Sequence, residues 1–174
     1  MRHRIAALLA LVLATTATPA HADATLYRYG PYSTRWTPQV GAALCLTFAV
    51  DQTEGLAVTE VCADDKTRQE WLFTQDNDGR GFVVQNVRTE QCLRTRADTE
   101  RVVQARCDRA ARDQYWTVAT RDAGKTTSLC AADGRCLTAL DVVTPQGYRQ
   151  VALRATTPAL QSRQAWTLAA TSLG

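Results

Sequence analysis

The sequence predicts an all-β protein, a closed antiparallel architecture with pseudo-three-fold symmetry. Two observations carry this prediction, a tripled Gln-x-Trp motif and short strand patterns separated by Gly- and Asp-rich turns. The motif occurs as RQEW at 68–71, DQYW at 113–116 and RQAW at 163–166. Its spacing of about 45 to 50 residues indicates three copies of one supersecondary unit.

The first 22 residues predict a secretory signal peptide. A basic start, MRHR, precedes the apolar run IAALLALVLA, which is too short to span a bilayer, and AHA at 20–22 is a small-x-small cleavage pattern. We expect cleavage after Ala22, a secreted protein (extracellular or periplasmic), and a single mature domain over residues 23–174. A buried N-terminal helix is the alternative.

Three repeats follow, at about 26–73, 80–120 and 127–170. Each contains a Cys-Leu pair, a polar loop, a Val-rich alternating run, a second polar loop and Gln-x-Trp. The clearest strand patterns are rich in β-branched or aromatic residues, and no sustained helical periodicity interrupts them. These patterns are GFVVQNV at 81–87, VVQARC at 102–107, YWTVAT at 115–120 and AWTLAAT at 165–171.

The Gln-x-Trp motif has a structural explanation. If the motif lies in a strand, Gln and Trp share one face and the residue between them points away. We expect the tryptophans to fill one core and the glutamine amides to bind neighbouring backbone turns. These positions are Gln69, Trp71, Gln114, Trp116, Gln164 and Trp166.

The composition limits which enzyme classes and metal sites are possible. Both histidines, His3 and His21, lie in the predicted signal peptide, which excludes Ser-His-Asp and Cys-His catalysis and imidazole metal sites. A carboxylate-pair hydrolase is the enzyme class left open, but isolated acids are expected to be surface charge. We therefore expect a protein that is not an enzyme, with no catalytic residues, no metal and no cofactor.

The charges argue against nucleic acid as a partner. The mature chain holds 18 Lys and Arg against 17 Asp and Glu, and the arginines are interspersed with acids rather than clustered. All six cysteines lie in the mature part, and an even count in a secreted chain indicates three disulfides. The count alone leaves their pairing open. The cysteines are Cys45, Cys62, Cys92, Cys107, Cys130 and Cys136.

Over roughly residues 26–168 the chain resembles the ricin B-type β-trefoil lectins. The resemblance rests on the Gln-x-Trp motifs, the three Cys-Leu pairs and the segment VVQNVRTEQCLRT at 83–95. It implies a β-trefoil with three intra-repeat disulfides, acting as a binding module for carbohydrate. By family habit two bridges are Cys45–Cys62 and Cys92–Cys107. The third repeat has Thr157 nine residues before its Trp, where a second cysteine would stand, which leaves Cys130–Cys136.

The family's usual galactose pocket is incomplete in every repeat, and no stacking aromatic precedes the second cysteine. The resemblance implies an Asp two residues after the first cysteine, where this chain has Thr47, Arg94 and Thr138. The Asn often found before Gln-x-Trp is replaced by Arg68, Asp113 and Arg163. We therefore expect carbohydrate to bind through a non-standard site.

Two groups of residues are candidates for such a site. Asp141, Tyr148 and Gln150 place a carboxylate, a ring and an amide in the loop after Cys136, although ordinary hairpin residues are the alternative. Tyr27 and Tyr29, in the aromatic leader LYRYGPYSTRW, would share one face of the first strand. They form either a recognition patch or a plug for the open end of the barrel.

The expected partners are a glycan or a secreted or cell-surface protein. We expect no membrane span, and a monomer or one member of a hetero-complex. The alternative function is a protein-contacting or cell-binding subunit of a secreted toxin or enzyme complex with degenerate sugar pockets. The resemblance implies it, because the lectin-like subunits of bipartite toxins are similar.

Overall fold

Twelve β-strands and four short 3-10 helices make up the described part of the protein. A computed structural model describes residues 32–38, 44–49, 55–63, 67–76, 78–121 and 126–172. No helix in these ranges is long and apolar enough to cross a membrane. The 3-10 helices are Thr67–Gln69, Arg112–Gln114, Pro158–Leu160 and Ser162–Gln164. The strands are β1 (Tyr32–Pro38), β2 (Leu44–Phe48), β3 (Ala57–Val61), β4 (Trp71–Gln75), β5 (Phe82–Asn86), β6 (Cys92–Thr95), β7 (Val102–Ala105), β8 (Tyr115–Arg121), β9 (Thr126–Ala131), β10 (Cys136–Val143), β11 (Arg149–Arg154) and β12 (Trp166–Ser172).

Six of the strands close into a barrel. Strand β1 pairs with β4 and β12, β5 pairs with β4 and β8, and β9 pairs with β8 and β12, all antiparallel. The remaining strands form three hairpins, β2–β3, β6–β7 and β10–β11. A six-stranded barrel carrying three hairpins is a β-trefoil, which confirms the predicted all-β fold class. Because the ring closes on itself, the barrel exposes no unpaired sheet edge.

The core is built around the three motif tryptophans. Each is fully buried, where the motif predicts it, and leucines of the hairpins pack beside it. Each indole Nε1 donates a 3.0 Å hydrogen bond to the backbone carbonyl of the Leu in the Cys-Leu pair of its repeat. These carbonyls belong to Leu46, Leu93 and Leu137. The same hydrogen bond occurs three times and joins each hairpin to the barrel in the same way.

The motif glutamines are buried, but the prediction that Gln and Trp share a strand face is wrong. Each Gln ends a 3-10 helix, and the following strand begins only after it. The chain turns there from the hairpin into the barrel, so strand alternation does not apply across the motif. The glutamine amides do bind neighbouring backbone, since Gln69 donates to Val61 O and accepts from Ala63 N, both at 2.9 Å.

All three predicted disulfides are present and lie within repeats. They are Cys45–Cys62, Cys92–Cys107 and Cys130–Cys136.

The third repeat places its substitute for the second cysteine one residue earlier than the sequence predicts. In strand register Cys136 lies opposite Arg154, as Cys92 lies opposite Ala105, so Thr156 occupies the second cysteine's position. Its Oγ1 is 3.4 Å from Cys136 Sγ. The prediction of Thr157 is wrong because the third repeat has one extra residue before its Gln.

Candidate functional site

In each repeat the residue directly before Gln-x-Trp belongs to an ion pair. These residues occupy the place where the resemblance implies a sugar-binding Asn. The residue that completes the ion pair differs between repeats, because it lies at a different position in the hairpin strands. The pairs are Arg68–Glu60 at 2.7 Å, Asp113–Arg94 at 2.7 Å, and Arg163–Asp141.

The second repeat holds an open depression at this position. It has a volume of about 490 Å³, and Arg94, Arg96, Gln104 and Asp113 contribute polar groups to it. Strand β6 supplies Arg94, β7 supplies Gln104, and the 3-10 helix before β8 supplies Asp113. None of the side chains that line it is aromatic. The depression can therefore form hydrogen bonds but offers no ring for stacking.

Two acceptor atoms of residues that line this depression have no hydrogen-bond partner among the described residues. They are Asp113 Oδ1 and Gln104 Oε1, and both atoms are buried. The other carboxylate oxygen, Asp113 Oδ2, accepts from Arg94 Nε at 2.7 Å. A buried acceptor left without a donor costs about 1–3 kcal/mol. If the two side chains turn these atoms toward the depression, a ligand that brings hydroxyl donors would recover part of that free energy.

A glycine from the first repeat leaves the space in which the Gln104 amide packs. Gly55 has φ +52°, in the left-handed region that favours glycine. A Cβ there would lie only 2.3 Å from Gln104 Nε2, so the amide packs where a side chain would otherwise be. The Gln104 backbone N–H also donates to Gly55 O at 3.0 Å. The depression thus depends on a contact between repeats.

Arg94 separates this depression from a second one. The neighbouring depression has a volume of about 480 Å³ and is lined by Arg94, Arg106, Asp108 and Gln114 among others. Gln114 is engaged there, because it donates to Arg106 O at 2.8 Å and accepts from Asp108 N at 2.9 Å. Nearly half of the Arg94 side chain is exposed. The Arg94 side chain therefore lines both depressions.

The third-repeat candidates do not surround one cavity. Asp141 pairs with Arg163 and, at 3.8 Å, with Arg149. The hydrogen bond from Arg163 lowers the pKa of Asp141, so its carboxylate is ionised at neutral pH. Tyr148 is half-buried, and Gln150 lines a cavity that neither of the other two lines. Their predicted role in carbohydrate binding stays a prediction.

The aromatic leader lies largely beyond the part of the chain that the structure describes. Tyr27 and Tyr29 are outside it. Tyr32 and Trp36 belong to β1, whose backbone pairs with β12, and their side chains are not described. The leader's predicted role as a recognition patch or a barrel plug stays a prediction.

Residues 67–142 are similar to a known protein family. This segment matches the sequence model of the "Ricin-type beta-trefoil lectin domain-like" family. The matched segment is less than half of the chain, and the chain has a ricin-type β-trefoil lectin-like fold. The matched segment contains all the polar residues named above for the depression of the second repeat. No curated protein sequence matches the chain significantly.

Solved structures show the same fold for the lectin-like domain. A mosquitocidal holotoxin is 14% identical with a TM-score of 0.66, and the match covers 79% of this chain but only 16% of that chain. Cytolethal distending toxin of Haemophilus ducreyi is 18% identical with a TM-score of 0.66, covering 83% of this chain and 87% of that chain. A Polyporus squamosus lectin bound to a sialylated influenza-binding epitope is 14% identical, with a TM-score of 0.62 and coverage of 79% and 47%. At these identities the likeness shows the fold alone.

The depression of the second repeat is not predictable from the sequence. In the sequence Arg94 and Asp113 are visible only as replacements for the usual anchors of the galactose pocket. Their opposite charges, at two positions that face each other in this fold, are a signal that points to a pair. Gln104 carried no comparable signal, because its contact with Gly55 joins residues nearly fifty positions apart.

Proposed function

We propose that this lectin-like domain is a secreted carbohydrate-binding module that uses the depression of the second repeat in place of the galactose pocket. The observation that carries the proposal is the pair of buried acceptors, Asp113 Oδ1 and Gln104 Oε1, beside the partly exposed Arg94. Sugar hydroxyls donate and accept at once, so they match two acceptors next to a guanidinium donor. The three disulfides fit an oxidising compartment.

The chemistry of the depression limits the affinity. Without an aromatic ring the apolar face of a sugar has nothing to stack on, and the carboxylate is already shared with Arg94. We expect free galactose and lactose to bind with a Kd on the order of millimolar or weaker. A longer or branched glycan that also reaches the neighbouring depression would bind more tightly, because it contacts both sides of Arg94.

The test is a glycan array on protein produced without residues 1–22, followed by titration calorimetry on each hit. Gln104→Leu removes one acceptor and installs the residue that the third repeat has at the equivalent position, Leu153. We expect this variant and Asp113→Ala to weaken binding about ten-fold or more. Arg88→Ala, in the exposed turn after β5, is the control and should bind as the wild type does.

Two outcomes would contradict the proposal. Micromolar binding of free galactose would show that the family's ordinary recognition survives. Glycan binding that persists in both depression variants would place the site elsewhere. If that binding were lost in Asp141→Ala or Tyr148→Ala, the third-repeat prediction would hold instead, and a Tyr27/Tyr29 double substitution tests the leader in the same way.

A protein-contacting function is the second candidate, and exposed apolar side chains favour it. Val61, Val142 and Val143 are 67%, 52% and 54% exposed. A contiguous exposed apolar patch is typical of surfaces that bind another protein, and Val142 and Val143 are neighbours in β10. In the match to cytolethal distending toxin the similar region covers nearly the whole of that chain. If no glycan binds while a secreted protein co-purifies, and Val142→Ser with Val143→Ser abolishes that capture, this function replaces the first.

A further inference from the structure

In each hairpin, one residue forms a backbone β-pairing with the next hairpin. Leu56 pairs with Val103, Arg101 pairs with Ala152, and Gln150 pairs with Val58. Strand register makes the three leading residues equivalent under the pseudo-three-fold symmetry. The chain therefore places an apolar side chain, a cation and an amide at one symmetric position.

These three side chains line one cavity where the hairpins meet, which we call the hairpin cavity. It has a volume of about 310 Å³, and its lining includes Leu56, Val58, Arg101, Leu140, Gln150 and Ala152. The volume is at the small end for ligand pockets. None of Arg94, Gln104 and Asp113 lines it, so it is distinct from the depression of the second repeat.

The hairpin cavity carries one uncompensated positive charge. Glu100 and Arg154 also line it, and they form an ion pair with each other. The guanidinium of Arg101 forms no ion pair with any residue that the structure describes, and the residue is exposed. No other charged side chain lines the cavity. A carboxylate would be held by Arg101 in the two-pronged geometry that a guanidinium favours.

We propose that the hairpin cavity binds an acidic monosaccharide, with the sugar carboxylate on Arg101. The Gln150 amide then exchanges hydrogen bonds with a ring substituent, and Leu56 and Leu140 cover the apolar side of the ring. The choice of a sugar acid rests on the proposed carbohydrate-binding function, whereas the anion site rests on Arg101 and the cavity alone. The charge and the small volume favour a monoanion of this size over a neutral or larger ligand.

The experiment is a ¹H–¹⁵N NMR titration of protein without residues 1–22, using methyl β-glucuronide as the probe. Methyl β-glucoside, which has the same ring without the carboxylate, is the neutral control ligand. We expect saturable shifts of the Leu56, Arg101 and Gln150 amides with the acid, and binding about ten-fold weaker or less for the glucoside. Arg101→Gln installs the side chain already present at the equivalent third-repeat position, and it should lose the acid about ten-fold or more. Arg88→Ala should leave acid binding unchanged.

The possible results separate this inference from the proposed function. Equal shifts with acid and glucoside, or acid binding that survives Arg101→Gln, would overturn the inference. Absence of any shift at the three amides at tens of millimolar probe would overturn it as well. If the acid binds as expected while Gln104→Leu changes no glycan binding, the hairpin cavity stands and the second-repeat site fails. The reverse pattern retains the second-repeat site and rejects the cavity.

Discussion

Truncating the motif glutamine is expected to cost more stability in the second repeat than in the third. Gln114 uses both ends of its amide, donating to Arg106 O at 2.8 Å and accepting from Asp108 N at 2.9 Å. Gln164 donates to Thr138 Oγ1 at 3.0 Å and to Arg154 O at 3.1 Å. Its Oε1 is buried without a partner among the described residues, because the extra residue of the third repeat displaces the donor.

The magnitudes follow from the groups left unpaired. Gln114→Ala strips two partly buried backbone groups of their partners, at about 1–2 kcal/mol each, so unfolding becomes easier by about 2–4 kcal/mol. Gln164→Ala also removes donors, but it removes an unpartnered buried acceptor at the same time, and the two effects offset to about 1 kcal/mol. A difference of about 2 kcal/mol corresponds to a gap in Tm of about 4–8 °C for a chain of this size.

Urea unfolding of the disulfide-intact protein, followed by tryptophan fluorescence, measures the difference directly. Gln75→Ala, at the exposed end of β4, is the control and should change the free energy of unfolding by less than about 0.5 kcal/mol. A Gln164→Ala variant that loses as much stability as Gln114→Ala would refute the reasoning, since it would show that the unpartnered oxygen carries no cost.

Three further measurements test the fold. Replacing any one of the three core tryptophans by Ala should cost about 3–5 kcal/mol in urea unfolding; a variant that stays fully stable but loses ligand would move that Trp from the core to a site. Removing Cys92–Cys107 by double Ser substitution should destabilise the protein by about 3 kcal/mol, slightly more than removing Cys130–Cys136, because the closed loop is longer; calorimetry that ranks them in reverse contradicts this loop argument. The hydrogen bond from Arg80 lowers the pKa of Asp76 in the folded state. The ion pair therefore stabilises the folded protein at pH values above the unfolded Asp pKa of about 3.9, and this stabilisation is lost as the pH falls below that value. Asp76→Asn should therefore flatten the pH dependence of the free energy of unfolding in that range.

The sequence was sufficient for the fold because its signals repeat. One Gln-x-Trp carries little information, but three in register with Cys-Leu pairs predict three equivalent units, and the twelve strands have that arrangement. The disulfide pairing followed from the resemblance, and all three bridges are present. Two sequence-based predictions are wrong, one where the backbone turns and one where the third repeat differs from the others. The Gln of each motif ends a 3-10 helix, and Thr156 replaces Thr157.

The candidate site was less predictable, for a physical reason. Comparison of the sequence with the family's motif shows which sugar-binding residues are replaced, as at Arg94 and Asp113. It does not show how the replacing side chains interact with each other. Their ion pair, and the packing of Gln104 on Gly55, depend on side chains that the fold brings together from different strands and repeats. The hairpin cavity depends in the same way on three hairpins. Such contacts have no local signal in the sequence.

The ion pairs beside the motifs have a consequence for how the domain can be rearranged. Arg68–Glu60, Arg94–Asp113 and Arg163–Asp141 each join two residues of the same repeat. A repeat can therefore be copied or exchanged as a unit without leaving one of these charges unmatched. The Arg154–Glu100 pair, by contrast, joins two different repeats and would be broken by such an exchange. Recombination of whole repeats would thus preserve the charges beside each motif, and it would change both the hairpin cavity and the Gly55–Gln104 contact, which opens these two places to new specificity.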